Sequence, residues 1–121
     1  MNLVLLKGRL TNDVNFKYLP NSGKPLTTFS IAINRDNNVD YFTIQCWGNF
    51  AEIMANKLEK GMKVFVKGYL KNNHWKDDND KLHKNEIIVA KNIDILSYSK
   101  SDNFEYDVPK SIDEIEGDAP F

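Results

Sequence analysis

Cysteine is almost absent from this 121-residue chain. The lone Cys46 excludes an intramolecular disulfide, so the fold has to be held by its core, which a chain of this length can build in one domain. Histidine is equally scarce: His74 and His83 lie in one charged segment, without the cysteine partners or the spacing of a zinc site. They read as solvated loop residues. The six glycines are dispersed, which excludes a phosphate-cradling loop. The acidic run Asp77-Asp78-Asn79-Asp80 lacks the glycine and the distal glutamate of a calcium loop. No nucleophile is accompanied by a base, so the reading is a non-enzyme without metal or cofactor.

Long hydrophobic runs are missing as well. The first apolar stretch, residues 3–6, is followed closely by Lys7 and Arg9 and is too short for a signal peptide or a membrane span. A reducing, cytoplasmic setting is expected, with Cys46 as a small buried hydrophobe. A strong net charge is also lacking, the total being −1. That balance conceals an asymmetry. Residues 1–98 carry 14 Lys/Arg against 10 Asp/Glu, a net +4, whereas residues 99–121 carry 2 against 7, a net −5. A mildly basic domain is followed by an acidic tail.

What is present centres on residues 41–61. As a strand, residues 41–47 send Phe42, Ile44 and Cys46 to one face and Tyr41, Thr43, Gln45 and Trp47 to the other. The first face is apolar. The second joins two large aromatics to two hydrogen-bonding side chains, a surface that can stay wet and still stack on flat ligands. Asn49 then reads as a helix N-cap with Glu52 completing a capping box. Phe50, Ile53, Met54 and Leu58 form the apolar stripe, and Gly61 is the expected left-handed stop.

The remaining segments read as strands. Residues 2–10 alternate weakly, and residues 16–18 prolong them beyond a bend. A turn cluster over residues 19–25 precedes a strand over 27–35, with Phe29, Ile31 and Ile33 inward. Residues 36–40 close a short hairpin. After the helix, residues 63–71 place Val64, Val66, Gly68 and Leu70 on one face and Lys63, Phe65, Lys67, Tyr69 and Lys71 on the other. Residues 72–84 form a polar excursion that carries Trp75 and has residues 77–80 as its tip. A last strand, 86–97, is expected to turn Ile87, Val89, Ile93 and Ile95 inward, while the outward aliphatics Leu3, Leu5 and Ile88 hint at a subunit interface. Three strands, a helix and two further strands predict an all-β protein with one helix, a five-stranded Greek-key OB barrel over residues 1–98. The polar composition of residues 99–121 predicts a disordered acidic tail.

Outward aromatics interleaved with cations are what a single-stranded nucleic acid requires. Its bases need flat partners, each stack contributing about 1–3 kcal/mol, and its phosphates need a basic track. The stacking candidates are Tyr41, Trp47, Phe65, Tyr69 and Trp75, and the phosphate candidates are Arg35, Lys63, Lys67, Lys71 and Lys76. For any one aromatic the alternative is a place in a subunit interface. The end of the chain, Asp118-Ala119-Pro120-Phe121, is a small amphipathic plug suited to an apolar pocket rimmed by basic residues, against the alternative of a merely solvating tail.

Several motifs together resemble the bacterial-type single-stranded DNA-binding proteins. They are Gly8-Arg9-Leu10-Thr11 with Asp13, Phe29-Ser30-Ile31-Ala32 with Asn34-Arg35, Cys46-Trp47-Gly48 with Ala51-Glu52, Lys60-Gly61, and Val64-x-Val66-x-Gly68-x-Leu70. The C-terminal Asp118-Ala119-Pro120-Phe121 is similar to that family's acidic tip. The resemblance implies an OB fold, a homotetramer or homodimer, sequence-tolerant coating of single-stranded DNA, and recruitment of replication, recombination and repair proteins through the tip. It places Tyr41, Trp47 and Trp75 where such proteins stack bases. Asn37 stands near a position where many of them carry another aromatic, and the hairpin over residues 35–41 is short. Two other readings keep the barrel: a replication-restart adaptor acting through protein contacts, and an RNA- or tRNA-binding module. The acidic tail ending in Phe argues against the first, and the expectation of a complete chain against the second.

Overall fold

The computed structural model describes residues 1–97; the expectations for residues 98–121 lie outside them. Six strands and one helix follow in the order β1 (Val4–Leu10), β2 (Asn15–Tyr18), β3 (Pro25–Arg35), β4 (Asn38–Trp47), α1 (Asn49–Lys57), β5 (Lys63–Lys76) and β6 (Leu82–Ser97). β1 pairs with β5, β5 with β6, β6 with β4 and β4 with β3, and a β1–β3 pairing closes the ring. All of these contacts are antiparallel except β4–β6, where Ile44 and Gln45 run parallel to Ile88 and Val89. A closed ring of five strands with one parallel contact, and a helix between its third and fourth members, is the OB barrel. β2 is an additional short ribbon on the edge of β3, the segment that residues 16–18 had suggested as a continuation of the first strand.

Inward residues fill the barrel from every wall. Phe29 and Ile31 of β3, Ile44 and Cys46 of β4, Val64 and Val66 of β5, and Ile88, Ala90 and Ile93 of β6 are all buried in one cluster. The helix closes one end with Ala51, Met54 and Leu58. Thr27, fully buried, donates its hydroxyl to the Ala51 carbonyl at 2.7 Å, which ties β3 to the helix. Ile53, expected in the apolar stripe, is exposed, and Ala51 takes its place.

The helix ends also differ from expectation. Gly48 is the N-cap, with φ 69° and ψ −144°, and Asn49 is already helical. β4 must reverse sharply into the helix, and only glycine adopts that backbone at little cost. Glu52 does not complete a capping box, because its Oε2 accepts a hydrogen bond from the Tyr18 hydroxyl at 3.2 Å. At the other end Leu58 turns extended and drops into the core. The positive φ of Gly61, 89°, serves the turn into β5, where its N–H bonds the Leu10 carbonyl at 3.0 Å.

β6 corrects the reading of its faces. Its first half turns Ile88 and Ala90 to the core, and Ile87 and Val89, although buried, lie on the outer face. Between Ala90 and Asn92 the register against β5 slips by one residue at Lys91, and this bulge reverses the alternation. Ile93 and Ile95 therefore turn inward as expected. Ile88 is 2% exposed and belongs to no surface, whereas Leu3 and Leu5 are exposed as anticipated. Leu70, assigned inward, is exposed because β5 has by then run past the end of the barrel. The polar excursion over residues 72–84 is a hairpin with its turn at the expected tip: β5 and β6 stay paired out to Lys76 and Leu82 and form a two-stranded arm. The β3–β4 hairpin is similarly tight, with Arg35 facing Asn38 across a two-residue turn.

Candidate nucleic-acid interface

The outer face of β5 is one continuous row. Lys63, Phe65, Lys67, Tyr69, Lys71, Asn73 and Trp75 share it by alternation, from the barrel wall to the arm. Across the register Tyr69 faces Val89, and Val89 in turn stands beside Gln45 of β4. Trp47, at the end of β4, shares the outer face with Gln45 by alternation. Trp47, Phe50, Tyr69, Val89, Ala90 and Lys91 line a groove of about 380 Å³.

Cations lie directly on its aromatics. Lys71 Nζ sits 5.7 Å from the centroid of Trp47, and Lys91 Nζ lies 5.8 Å from that of Tyr69. Such contacts contribute about 0.5–1 kcal/mol each at exposed sites and hold a positive charge next to each stacking surface. Gln45 Oε1, on the same face, is enclosed without a hydrogen-bond partner among the described residues.

A second groove, about 660 Å³, opens between the start of β4 and the base of the arm. Tyr41, Thr43, Leu70, Asn72 and Glu86 are among its lining residues, and Tyr41 is 66% exposed. Trp75 stands farther out on the arm, stacked on His83. His83 is thus not the solvated residue its sequence context suggested; its Nε2 also lies 2.8 Å from Asp77 Oδ2. That hydrogen bond, together with the backbone N–H groups of Lys81 and Asn79, holds the Asp77 carboxyl below the usual carboxylate range.

The sequence candidates are therefore not all gathered at one point. Trp47, Tyr69 and Lys71 meet around the first groove, Tyr41 lines the second, and Trp75 is on the arm. Phe65 is half-buried between Lys7 of β1 and Asp94 of β6. Lys63 and Lys67 flank it on the outer row. Lys76 projects from the opposite face of the arm and pairs with Asp80 at 3.7 Å. Arg35 donates two hydrogen bonds to Asp40, at 2.8 and 3.2 Å, which hold the Asp40 carboxyl below its ordinary value.

The family model of the single-strand binding protein family matches residues 1–96. The chain belongs to this family. Among its relatives, single-stranded DNA-binding protein 1 of Synechocystis sp. is 36% identical over 87% of this chain and 90% of its own length. The single-stranded DNA-binding protein of Thermosynechococcus vestitus is 34% identical over 90% of this chain and 92% of its own. That of Aquifex aeolicus is 33% identical over 96% and 86%. Membership in a family of binding proteins agrees with the non-enzyme reading.

Sequence reasoning missed Lys91, Phe50 and Val89 as groove residues, and His83 as the partner of Trp75. For Lys91 a signal existed. Alternation through Ile87, Val89, Ile93 and Ile95 would put a lysine in the core, so a slip in register had to lie between them. For His83 there was none, since only the pairing of β5 with β6 sets it opposite Trp75.

Proposed function

We propose that this protein binds and coats single-stranded DNA with little sequence preference, and that it acts in replication, recombination and repair without catalysis. The observation that carries this is the outer row of β5, where Tyr69, Lys71 and Trp75 are joined by Trp47 and Lys91 into alternating aromatic and cationic surface. Bases stack on Trp47, Tyr69 and Trp75, with Tyr41 and Phe65 as further platforms; phosphates meet Lys63, Lys67, Lys71 and Lys91, with Arg35 and Lys76 at the margins. Every base has a flat face and every nucleotide a phosphate, so such a surface tolerates any sequence. The relatives' names, which specify single-stranded DNA, support the same ligand.

The acidic tail is proposed to recruit partner proteins through Asp118, Ala119, Pro120 and Phe121. The exposed Leu3 and Leu5 support assembly as a homotetramer or homodimer, in the cytoplasm at the nucleoid. No helix among the described residues is long and apolar enough to cross a membrane, and no metal-binding cluster occurs among them.

The deciding experiment is a tryptophan-fluorescence titration with poly(dT) at several salt concentrations. Deep quenching that saturates at a fixed number of nucleotides per subunit is expected, with log affinity falling against log salt at about −0.7 per phosphate contact. Unquenched tryptophans without saturation would overturn the proposal. Removing residues 99–121 is expected to leave DNA binding intact or tighter while abolishing partner capture.

A further inference from the structure

Trp75 is 45% exposed, and one face of its indole is already occupied. The His83 imidazole lies nearly parallel to it, with centroids 5.3 Å apart and planes 15° apart. The two residues are register partners across β5 and β6 and so share one face of the arm. The imidazole is itself held in place. Its Nε2 lies 2.8 Å from Asp77 Oδ2, and Asp77 Oδ1 accepts the backbone N–H groups of Asn79 and Lys81, each at 2.9 Å. The turn backbone thus fixes the carboxylate, the carboxylate fixes the imidazole, and the imidazole fixes the indole.

We infer that His83 is the positioning residue for Trp75, covering one indole face so that a nucleobase stacks only on the other; this rests on the single-strand binding reading above. Without it, an indole at the edge of a two-stranded arm rotates about two side-chain torsions, and ordering it on binding opposes affinity. With it, the platform is set before the DNA arrives. Of the other charged and titratable groups, His74 and Lys84 form the adjacent register pair and project from the opposite face, as does Lys76, paired with Asp80 at 3.7 Å. Asp78 and Lys81 belong to the turn, which leaves Asp77 as the group that meets the imidazole.

The test uses the full chain with Trp47→Phe, which leaves Trp75 as the one indole of the two in the sequence, and compares it with His83→Ala and His83→Phe in that background. Without DNA, acrylamide is expected to quench Trp75 emission more strongly in His83→Ala than in the parent, since the stacked imidazole shields the indole, and His83→Phe is expected to restore the shielding. In titrations with oligo(dT), His83→Ala is expected to bind about three- to tenfold more weakly, the range an aromatic pair contributes, and His83→Phe to recover to within about twofold of the parent. Equal acrylamide quenching in the parent and His83→Ala, His83→Ala binding like the parent, or His83→Phe as weak as His83→Ala each overturns the inference. Failure of the wild-type chain to bind oligo(dT) overturns the function reading instead, while the acrylamide quenching still reports the stack.

Discussion

A methyl group on Gly68 would fall 2.0 Å from the Val89 carbonyl oxygen. β5 and β6 approach this closely where the register slips at Lys91, and the same slip brings Val89 to the floor of the groove and Lys91 over Tyr69. Because the obstacle is backbone, no side-chain rotation relieves it. Gly68→Ala is therefore expected to destabilise the barrel by about 3 kcal/mol or more, the upper end of overpacking costs, as read by the urea midpoint. A midpoint within a few tenths of a molar of wild type would mean that the strands separate more readily than this geometry allows.

Lys91 and Trp47 separate the two components of the groove. Trp47→Ala is expected to lower affinity for poly(dT) by about 1–3 kcal/mol at every salt concentration. Lys91→Ala should weaken binding most at low salt and reduce the salt slope by about 0.7, one phosphate contact. Equal slopes in Lys91→Ala and wild type would remove Lys91 from the phosphate track.

Acid acts on the arm and on the β3–β4 hairpin. The Asp77 carboxyl is held low by His83 and the turn N–H groups, and the Asp40 carboxyl by Arg35. A carboxyl whose folded value is depressed contributes stability that is complete above its ordinary value near 3.8 and is lost as the pH falls through the folded value. Protection of the Asn79 and Lys81 amides from exchange should thus drop below about pH 4, and Asp77→Asn should flatten that dependence. Unchanged protection in wild type down to pH 2 would show that the turn is held by other groups.

Cys46 is enclosed in the barrel, and burial pushes its thiol up to about 12. Reaction requires the thiolate and access to it. At pH 8 a thiol reagent should react negligibly with the folded chain and rapidly in urea. Rapid modification of the folded protein would show that the barrel opens often near the helix end.

Alternation along residues 27–35, 41–47 and 63–69 was enough to assign the walls of the barrel, because each strand has one wet and one dry face and a period of two leaves little ambiguity. The order of elements likewise sufficed for the OB topology, and the outward Trp47, Tyr69 and Lys71 were legible from the same rule. Helix ends were less so: Asn49 looked like a cap by composition, yet the backbone reversal required glycine at 48. The second half of the site was hidden wherever a residue's role depends on its neighbour across a ladder.

The sequence by itself determined which residues are apolar, aromatic or cationic at each period, and hence the barrel, the single helix and the basic aromatic row, since those follow from local pattern. Only the tertiary structure decided the burial of Ile88, the close approach at Gly68 and the His83–Trp75 stack. Each of these depends on which residue of a distant strand stands opposite, and strand register is settled by packing between segments that no local window contains.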